Sequence, residues 1–359
     1  MDTEKRIPSL DGVRAVAIGL VIYWHLWLPT HLWLPSKPRI MFDWGTLGVY
    51  IFFVLSGYLI TTMLLREFAA TQSVSLKDFY TRRFFRIIPP LLFLLLGVEI
   101  LDQFVPPLAS VKALIFSLFF LRNYHPGPLV FQHLWSLSVE EQFYLMWPFL
   151  LARLSRRTVT RLLVTVIVIV PIVRLIAVLS IGDKYVWHTE QVGDGLAWGC
   201  LLALWQPQLR ANRLYQRFSR SWATLFLPCI IAAGIYYYPL SVNALIGKSA
   251  VFFCVALAID LLILRCNSPV GRLFNLPPVA WLGKLSYSLY LWQQIFLIAR
   301  PKLLGWFPLN LVISLACAAV SYYLVEQPAI RLGRSIIALR RNAVTLATVG
   351  VPAAAEPGT

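Results

Sequence analysis

The chain has 359 residues, of which 58% are hydrophobic and only 13% charged, about half the charged share of ordinary soluble domains. With a mean hydropathy of +0.70, this composition excludes a soluble globular protein, because a chain of this size cannot bury so much apolar surface. The formal net charge of +16 does not indicate nucleic-acid binding, since the basic residues cluster between apolar runs, as the positive-inside rule describes for membrane proteins.

Ten apolar segments are predicted to cross the membrane, with both termini on the cytoplasmic side. This topology leaves most of the Lys and Arg residues in cytoplasmic loops. The sequence therefore predicts an all-α polytopic membrane protein. The predicted spans cover approximately residues 10–30, 46–65, 88–105, 135–152, 160–180, 192–207, 222–239, 248–265, 281–299 and 308–327.

One further apolar stretch, residues 111–121, is too short to cross, because a spanning helix needs about 20 residues. If it did cross, the basic cluster at 153–161 would lie outside. We therefore predict a short re-entrant or interfacial helix on the outer side. Residues 1–341 are predicted to form one membrane domain, and residues 342–359 a disordered cytoplasmic tail.

The first span carries Asp11, Arg14 and His25. Eleven residues are close to three helical turns, so Arg14 and His25 share one face, about 16 Å apart along the axis. Ionisable residues in a membrane helix are costly and by default mark a functional site. His25 can exchange a proton near neutral pH. The alternatives are a structural histidine bonded within the bundle and an Arg14 whose charge reaches the interface.

A second candidate cluster begins at His133. At helical spacing, His133, Ser136 and Glu140 fall on one face, which Tyr144 continues. This phase turns Glu140 inward, where we predict that it orients His25 or pairs with its charge. The adjacent Glu141 is explained by the preference for acids near a helix N-terminus.

The stretch from Arg66 to Arg86 indicates a basic loop, and Pro89 and Pro90 suit the first turn of the helix after it. The functional interpretation of its arginines is a binding site for the phosphates of an anionic ligand. The alternative is ordinary positive-inside topology. The arginines concerned are Arg82, Arg83 and Arg86.

Near the end of the chain, Ser286, Tyr290 and Gln293 form a polar stripe that either lines a cavity or bonds neighbouring helices. Pro328 is predicted to end the last span. The five histidines and five cysteines show no metal-ligand or CxxC spacing, so no metal site is expected.

Taken in order, the motifs resemble acyltransferase family 3 over residues 8–335. The resemblance depends on Ser9-Leu-Asp-Gly-Val-Arg14 with His25, Phe53-Val-Leu-Ser-Gly-Tyr-Leu-Ile60, Arg82-Arg-Phe-Phe-Arg-Ile-Ile-Pro89, His133-Leu-Trp-Ser-Leu-Ser-Val-Glu-Glu-Gln-Phe-Tyr144, Leu285-Ser-Tyr-Ser-Leu-Tyr-Leu-Trp292 and Ser321-Tyr-Tyr-Leu-Val-Glu-Gln-Pro328. Two positions depart from the family pattern. Gln293 stands where members often have His, and Val192 stands where they often have Arg, two residues before Asp194.

The resemblance implies ten core helices and transfer of an acyl group, most often acetyl, from cytoplasmic acyl-CoA to a hydroxyl of a carbohydrate. It implies no permanently bound cofactor, and it makes Arg14 and His25 the essential pair. We interpret His25 and Glu140 as catalytic. The residues assigned to substrate binding are Asp11, Arg14, Ser56, Arg82, Arg83, Arg86, His133, Ser136 and Tyr290.

The expected acceptor is a cell-surface polysaccharide or its lipid-linked precursor, with the lipid bilayer and polysaccharide-assembly proteins as partners and no nucleic acid. Three alternatives stay open at this stage. The protein could be a transporter of a lipid-linked sugar or small molecule, an acyltransferase acting on a macrolide-type secondary metabolite, or a structural member of an assembly complex.

Overall fold

The computed structural model describes residues 9–31, 43–104, 108–125, 127–182, 187–221, 226–227, 230–231, 239–299 and 307–349. Within these residues the chain forms helices and no strand. The helices of the first half are α1 Leu10–His31, α2 Trp44–Thr71, α3 Leu76–Asp102, α4 Val111–Leu118, α5 Leu134–Arg153, α6 Arg156–Ile181 and α7 Thr189–Val192.

The second half continues as α8 Asp194–Ala211, α9 Arg213–Phe218, α10 Lys248–Leu264, α11 Pro269–Phe274, α12 Pro277–Gln294, α13 Leu309–Val320 and α14 Gln327–Val349. Three wider π-helical segments interrupt these helices. Asn243–Gly247 precedes α10, Ile295–Ala299 extends α12, and Ser321–Glu326 joins α13 to α14.

Five continuous helical stretches of the described residues are long and apolar enough to cross a membrane: Trp44–Thr71, Leu76–Asp102, Arg156–Ser180, Leu240–Leu264 and Leu309–Ala343. The fourth joins the π-helical segment Asn243–Gly247 to α10, and the fifth runs from α13 through Ser321–Glu326 into α14. The prediction of an all-helical, multi-pass architecture is confirmed at this level. The count of ten crossings and the cytoplasmic position of both termini stay predictions. Most of the predicted span 222–239 lies outside the described residues.

Helix α2 lies at the centre of the bundle and packs against α1, α5, α8 and α10. Its contact with α8 is close because both helices carry a glycine there. A Cβ at Gly57 would collide with the backbone oxygen of Leu196, and one at Gly199 with that of Val54. Small residues of this kind allow membrane helices to pack backbone to backbone, where dispersion forces are strongest.

The basic stretch before residue 88 is helical, which corrects the predicted loop. Helix α2 runs to Thr71 and α3 begins at Leu76, where the side chain of Ser75 caps the new helix by accepting from the N–H of Asp78 at 3.3 Å. Pro89 and Pro90 consequently lie inside α3, not in its first turn. The apolar pattern marked where the membrane begins, but the helix extends beyond that boundary.

The last helix continues through Pro328 into α14, so this proline does not end the helix, and its position at the end of the last membrane span stays a prediction. The preceding segment, Ser321–Glu326, has the wider π-helical turn. That spacing relaxes the i→i−4 pattern in which a proline ring would clash with the preceding turn. Helix α14 reaches Val349, so the first residues of the predicted tail are helical, and residues 350–359 lie outside the described part.

The eight residues of α4 measure only about 12 Å along the axis. This length is too short for a crossing. The helix packs against α3 in a cluster of buried apolar side chains that includes Ala113, Leu94 and Val130.

Candidate active site

A polar cavity of about 100 Å³ lies inside the bundle, between α1, α2, α3, α5 and α12. A larger groove of about 510 Å³ between α6, α8 and α10 has a mainly apolar lining without ionisable side chains, so it offers no acid–base chemistry. The polar cavity, in contrast, is lined by Arg14, Phe52, Ser56, Arg83, Arg86, Ile87, Ser136, Leu137, Glu140, Glu141, Tyr144, Ser286, Tyr287 and Tyr290.

Arg14 reaches this cavity from the second turn of α1. Its guanidinium bonds to the carboxylate of Asp11 at 3.3 Å, one turn earlier on the same helix. Asp11 in turn lies against α12, because Gly283 has no side chain and approaches the Asp11 carbonyl closely. The close α1–α12 packing therefore fixes the position from which Arg14 enters the cavity.

The three arginines of α3 do not act together. Arg83 and Arg86 are one turn apart and line the cavity, with the Arg83 guanidinium 4.4 Å from the centre of the Tyr144 ring. Arg82 lies on another face of the helix and pairs with Glu67 of α2 at 3.4 Å. The structure thus places two of the predicted binding arginines at the site and leaves Arg82 outside it.

Ser136, Glu140 and Tyr144 are spaced four residues apart on α5, and all three line the cavity. The Glu140 carboxylate accepts hydrogen bonds from the Tyr144 hydroxyl at 2.9 Å and from Ser56 of α2 at 3.1 Å. The structure does not bring Glu140 to His25 as predicted. The physical reason is that the hydroxyl groups of Tyr144 and Ser56 already donate hydrogen bonds to this carboxylate, and His25 lies farther along the bundle.

Glu141 also lines the cavity, which the sequence reasoning missed by assigning it a role at the helix terminus. One of its carboxylate oxygens is buried without a hydrogen-bond partner. Its charge lies close enough to Arg83 and Arg86 to interact with both. The two adjacent glutamates of α5 and the two arginines one turn apart on α3 could have indicated a shared site. Recognising it from the sequence would have required knowing that α3 and α5 are neighbours.

Tyr290 closes the end of the cavity nearest to the start of α5. Its hydroxyl donates to the His133 backbone carbonyl at 2.7 Å and lies 2.6 Å from the Ser136 hydroxyl. The His133 ring packs edge-on against Tyr290, with centroids 5.2 Å apart, and its Nε2 lies 3.1 Å from the Leu291 carbonyl. Three side chains predicted for substrate binding, Tyr290, Ser136 and His133, therefore meet at this point.

His25 lies beyond this closure and is not part of the cavity lining. Its Nδ1 is 2.6 Å from Oε1 of Gln293, which is completely buried on α12. An amide oxygen only accepts, so this bond requires the proton on Nδ1 and leaves the lone pair on Nε2. The glutamine that departs from the family pattern is thus the residue that holds His25 and selects its tautomer. The amide nitrogen of Gln293 is buried without a partner.

Sequence reasoning did not connect Arg174 of α6 with Asp194 of α8. Their side chains form a fully buried ion pair at 2.6 Å. Two residues before Asp194, the chain has the buried Val192 and not an arginine. Arg174 of α6 pairs with Asp194 instead. The general expectation that charges within spans pair with each other was the signal that pointed to this contact.

Fold and site together define an all-helical membrane protein with an arginine- and carboxylate-lined cavity next to an oriented histidine. The chain belongs to acyltransferase family 3, because the family model described as an acyltransferase domain matches residues 7–326. The resemblance drawn from the motifs is thereby confirmed.

Several curated proteins are similar to the chain over most of its length. A putative peptidoglycan O-acetyltransferase of Bacillus subtilis is 30% identical, covering 90% of this chain and 55% of the relative. The peptidoglycan O-acetyltransferase OatA of Listeria monocytogenes is 31% identical, with 84% and 51% covered. The O-acetyltransferase OatA of Staphylococcus aureus is 28% identical, with 91% and 58% covered. The chain thus spans a little more than half of these relatives' length, and no solved structure matches it.

Proposed function

We propose that the protein is an integral membrane O-acetyltransferase that moves an acetyl group from acetyl-CoA to a hydroxyl of a cell-surface polysaccharide or its lipid-linked precursor. The observation that carries the proposal is the combination of a cavity lined by three arginines with a neighbouring histidine whose Nε2 lone pair is kept free by Gln293. The printed names of the relatives support a polysaccharide acceptor, peptidoglycan in two of them.

The arginines suit the donor. Coenzyme A carries several phosphate charges, and guanidinium groups bind phosphate oxygens through short, charge-assisted hydrogen bonds. Such donors line the cavity: Arg14 comes from α1, and Arg83 and Arg86 come from α3. Ser56, Tyr144 and Glu140 hold this region in shape through their hydrogen bonds, so we assign Glu140 a positioning role toward the arginines and not toward His25.

His25 serves as the general base in this proposal. The acceptor hydroxyl gives its proton to Nε2 while its oxygen attacks the thioester carbonyl, so that a C–O bond forms and the C–S bond breaks. The departing thiolate then takes the proton from the imidazolium, which restores the neutral tautomer. In the alternative route, Nε2 attacks the thioester carbonyl, an N–C bond forms, and coenzyme A leaves as the thiolate. The acceptor hydroxyl then attacks the acetyl-imidazolium, the C–O bond replaces the N–C bond, and the hydroxyl proton passes to the thiolate.

The topology proposed with this function places the Arg14 end of the site on the cytoplasmic side, where acetyl-CoA is made, in a bacterial inner membrane. The His25 end then lies toward the outer face. This orientation follows from the distribution of Lys and Arg along the chain.

Acetyl-CoA turnover by the purified protein in lipid nanodiscs tests the proposal. We expect coenzyme A release that depends on an acceptor sugar and is lost in His25→Ala, whereas His188→Ala, a histidine paired with Glu190 outside the site, keeps it. Acetyl label retained on the protein without acceptor would select the covalent route. Full turnover in His25→Ala would refute the catalytic role, and substrate movement without acetyl-CoA would favour a transporter.

A further inference from the structure

A second cationic group lies buried near His133 but outside the lining of the arginine-lined cavity. Arg122, in the turn between α4 and the short 3₁₀ segment Leu129–Phe131, is only 4% exposed. Its Nε has no hydrogen-bond partner, and its guanidinium forms no ion pair with any carboxylate of the described residues. A buried charge without a counter-charge is strongly unfavourable, so its retention calls for an explanation.

The turn that carries Arg122 is held firmly to α5. The Arg122 backbone N–H donates to Ser138 at 3.2 Å. Gln142, one turn further along α5, donates to the Phe120 carbonyl at 2.8 Å and to the Asn123 side chain at 3.1 Å. The position of Arg122 is therefore determined by the bundle and is not that of a surface arginine that happens to fold inward.

The backbone at Gly127 covers the guanidinium group. A Cβ at this position would come within 2.7 Å of Nη1 and 3.0 Å of Nη2, so a larger residue there would displace the guanidinium. Burial without a compensating carboxylate lowers the pKa of Arg122, yet a guanidinium stays protonated at neutral pH. The group is thus a permanent, partly desolvated positive charge.

His133 connects Arg122 to the reacting region. Because the Leu291 carbonyl can only accept, the Nε2 of His133 carries the proton, and its Nδ1 is a buried acceptor without a partner. His133 lies close enough to both Arg122 and His25 to interact electrostatically with them. The unpartnered donor of Gln293 lies in the same neighbourhood, since its other atom holds His25.

Arg83 and Arg122 belong to different parts of the bundle. Arg83 contacts Tyr144, which is eleven residues from His133 along α5, or about 16 Å. The turn that carries Arg122 comes before α5, on the side that the proposed topology makes external, and Arg122 does not line the cavity beside Arg83. A transfer reaction has two substrates, and the cavity beside Arg83 already suits the phosphates of the donor.

We propose that Arg122 binds an anionic group of the acceptor, a carboxylate or a phosphate, while Nδ1 of His133 accepts a hydrogen bond from a hydroxyl of the same sugar. The acceptor is then an acidic or phosphorylated carbohydrate whose reactive hydroxyl is directed toward His25. This inference depends on the proposed function for its meaning, but the binding site itself can be tested without any transfer.

Ligand binding to the protein in nanodiscs tests the site, with three N-acetylhexosamines as probes. One carries a lactyl carboxylate, one a 1-phosphate, and one is the neutral methyl glycoside. We expect at least one anionic probe to bind the wild type about 10-fold more tightly than the neutral probe, and to raise its melting temperature accordingly. Comparison of the carboxylate and phosphate arms identifies the preferred anion.

The variant Arg122→Gln is expected to bind all three probes equally, and Arg122→Lys to keep part of the preference. The matched control is Lys112→Gln, which removes an exposed positive charge from the neighbouring helix α4 and should preserve it. If Arg122→Gln does not fold, the wild-type comparison is repeated with coenzyme A saturating the arginine-lined cavity, so that a remaining preference for the anionic probe reports on Arg122. Equal binding of all probes by the wild type, or an equal loss in Arg122→Gln and Lys112→Gln, would overturn the proposal.

Acetyl transfer to the same probes separates this inference from the proposed function. Selective binding of an anionic probe without any transfer from acetyl-CoA leaves the site standing and contradicts the enzymatic proposal. Transfer to neutral and anionic probes with the same KM retains the enzyme and rejects the anion site.

Discussion

At the scale of single residues, the chemistry depends on one hydrogen bond. Gln293 accepts from Nδ1 of His25 and thereby leaves Nε2 as the basic atom. A neutral amide gives this control without adding a charge to the apolar bundle. A carboxylate in its place would have to be desolvated together with the imidazolium. Gln293 thus supplies an acceptor for the His25 proton without a charge of its own.

Removing this acceptor should reduce turnover. In Gln293→Leu we expect kcat to fall about 10²-fold, within the range that a positioned general base contributes, while the KM for acetyl-CoA stays unchanged. Gln293→His, which restores the residue common in the family, should recover activity. Gln294→Leu is the matched control, because Gln294 donates to the Leu129 carbonyl and not to His25. Equal losses in both leucine variants would indicate a general packing defect.

The neighbouring arginines Arg82 and Arg83 allow a sharp comparison of the donor site. Arg83→Ala removes a cavity guanidinium and should raise the KM for acetyl-CoA about 10-fold or more, since hydrogen bonds to charged groups contribute about 1.5–3 kcal/mol. Arg82→Ala breaks only the partly buried pair with Glu67, which lies outside the cavity, and should leave KM near the wild-type value. Steady-state kinetics at varied acetyl-CoA measure both. A larger effect from Arg82→Ala would place the donor elsewhere.

At the scale of helices, buried contacts outside the site hold together the helices that carry the site residues. The close α2–α8 packing at Gly57 and Gly199 positions Ser56, and the α1–α12 packing at Gly283 positions Arg14. The fully buried pair of Arg174 and Asp194 joins α6 to α8. Several of its polar atoms have no further partner, so its stability depends on the pair remaining intact.

Replacing one partner of the Arg174–Asp194 pair should destabilise the bundle more than replacing both partners. Arg174→Leu alone leaves the Asp194 carboxylate buried and unpaired, a change that costs about 3–5 kcal/mol in comparable cases. The double variant Arg174→Leu, Asp194→Leu should regain much of that loss. Thermal unfolding of the purified variants measures the difference. A double variant at least as unstable as the single one would contradict this account.

At the scale of the whole molecule, the proposed topology gives the site an orientation. Arg14, Arg83 and Arg86 line the cavity, and Arg14 and Arg83 lie near the ends of α1 and α3 that this topology makes cytoplasmic. The turn with Arg122 precedes α5, on the side that it makes external. Such an orientation suits a reaction whose two substrates arrive from opposite faces of a membrane.

Cysteine labelling tests this orientation. In a cysteine-free background, Lys112→Cys on α4 should react with a membrane-impermeant maleimide in intact cells, because the proposed topology exposes it outside. Lys77→Cys at the start of α3 should react only after the membrane is permeabilised. Both side chains are exposed in the structure, so accessibility within the protein does not limit the reaction. The reverse pattern would invert the topology and separate the arginine cavity from cytoplasmic acetyl-CoA.

The sequence by itself determined the class of fold, the family and most of the polar side chains that line the cavity. Hydropathy locates the apolar helices because burial in lipid requires about 20 apolar residues. Helical periodicity places Ser136, Glu140 and Tyr144 on one face because that spacing is a property of the helix alone. The extent of α3 and the continuation of the last helix through Pro328 escaped it, since apolar patterns mark the membrane boundary and not the end of a helix.

Only the tertiary structure decided which partner each polar side chain meets. It paired His25 with Gln293 and not with Glu140, turned Arg82 away from Arg83, and supplied Asp194 with an arginine from another helix. It also revealed Arg122 as a buried charge without a described counter-charge. These contacts join residues from tens to hundreds of positions apart. They depend on how the helices pack, which periodicity along one helix does not determine.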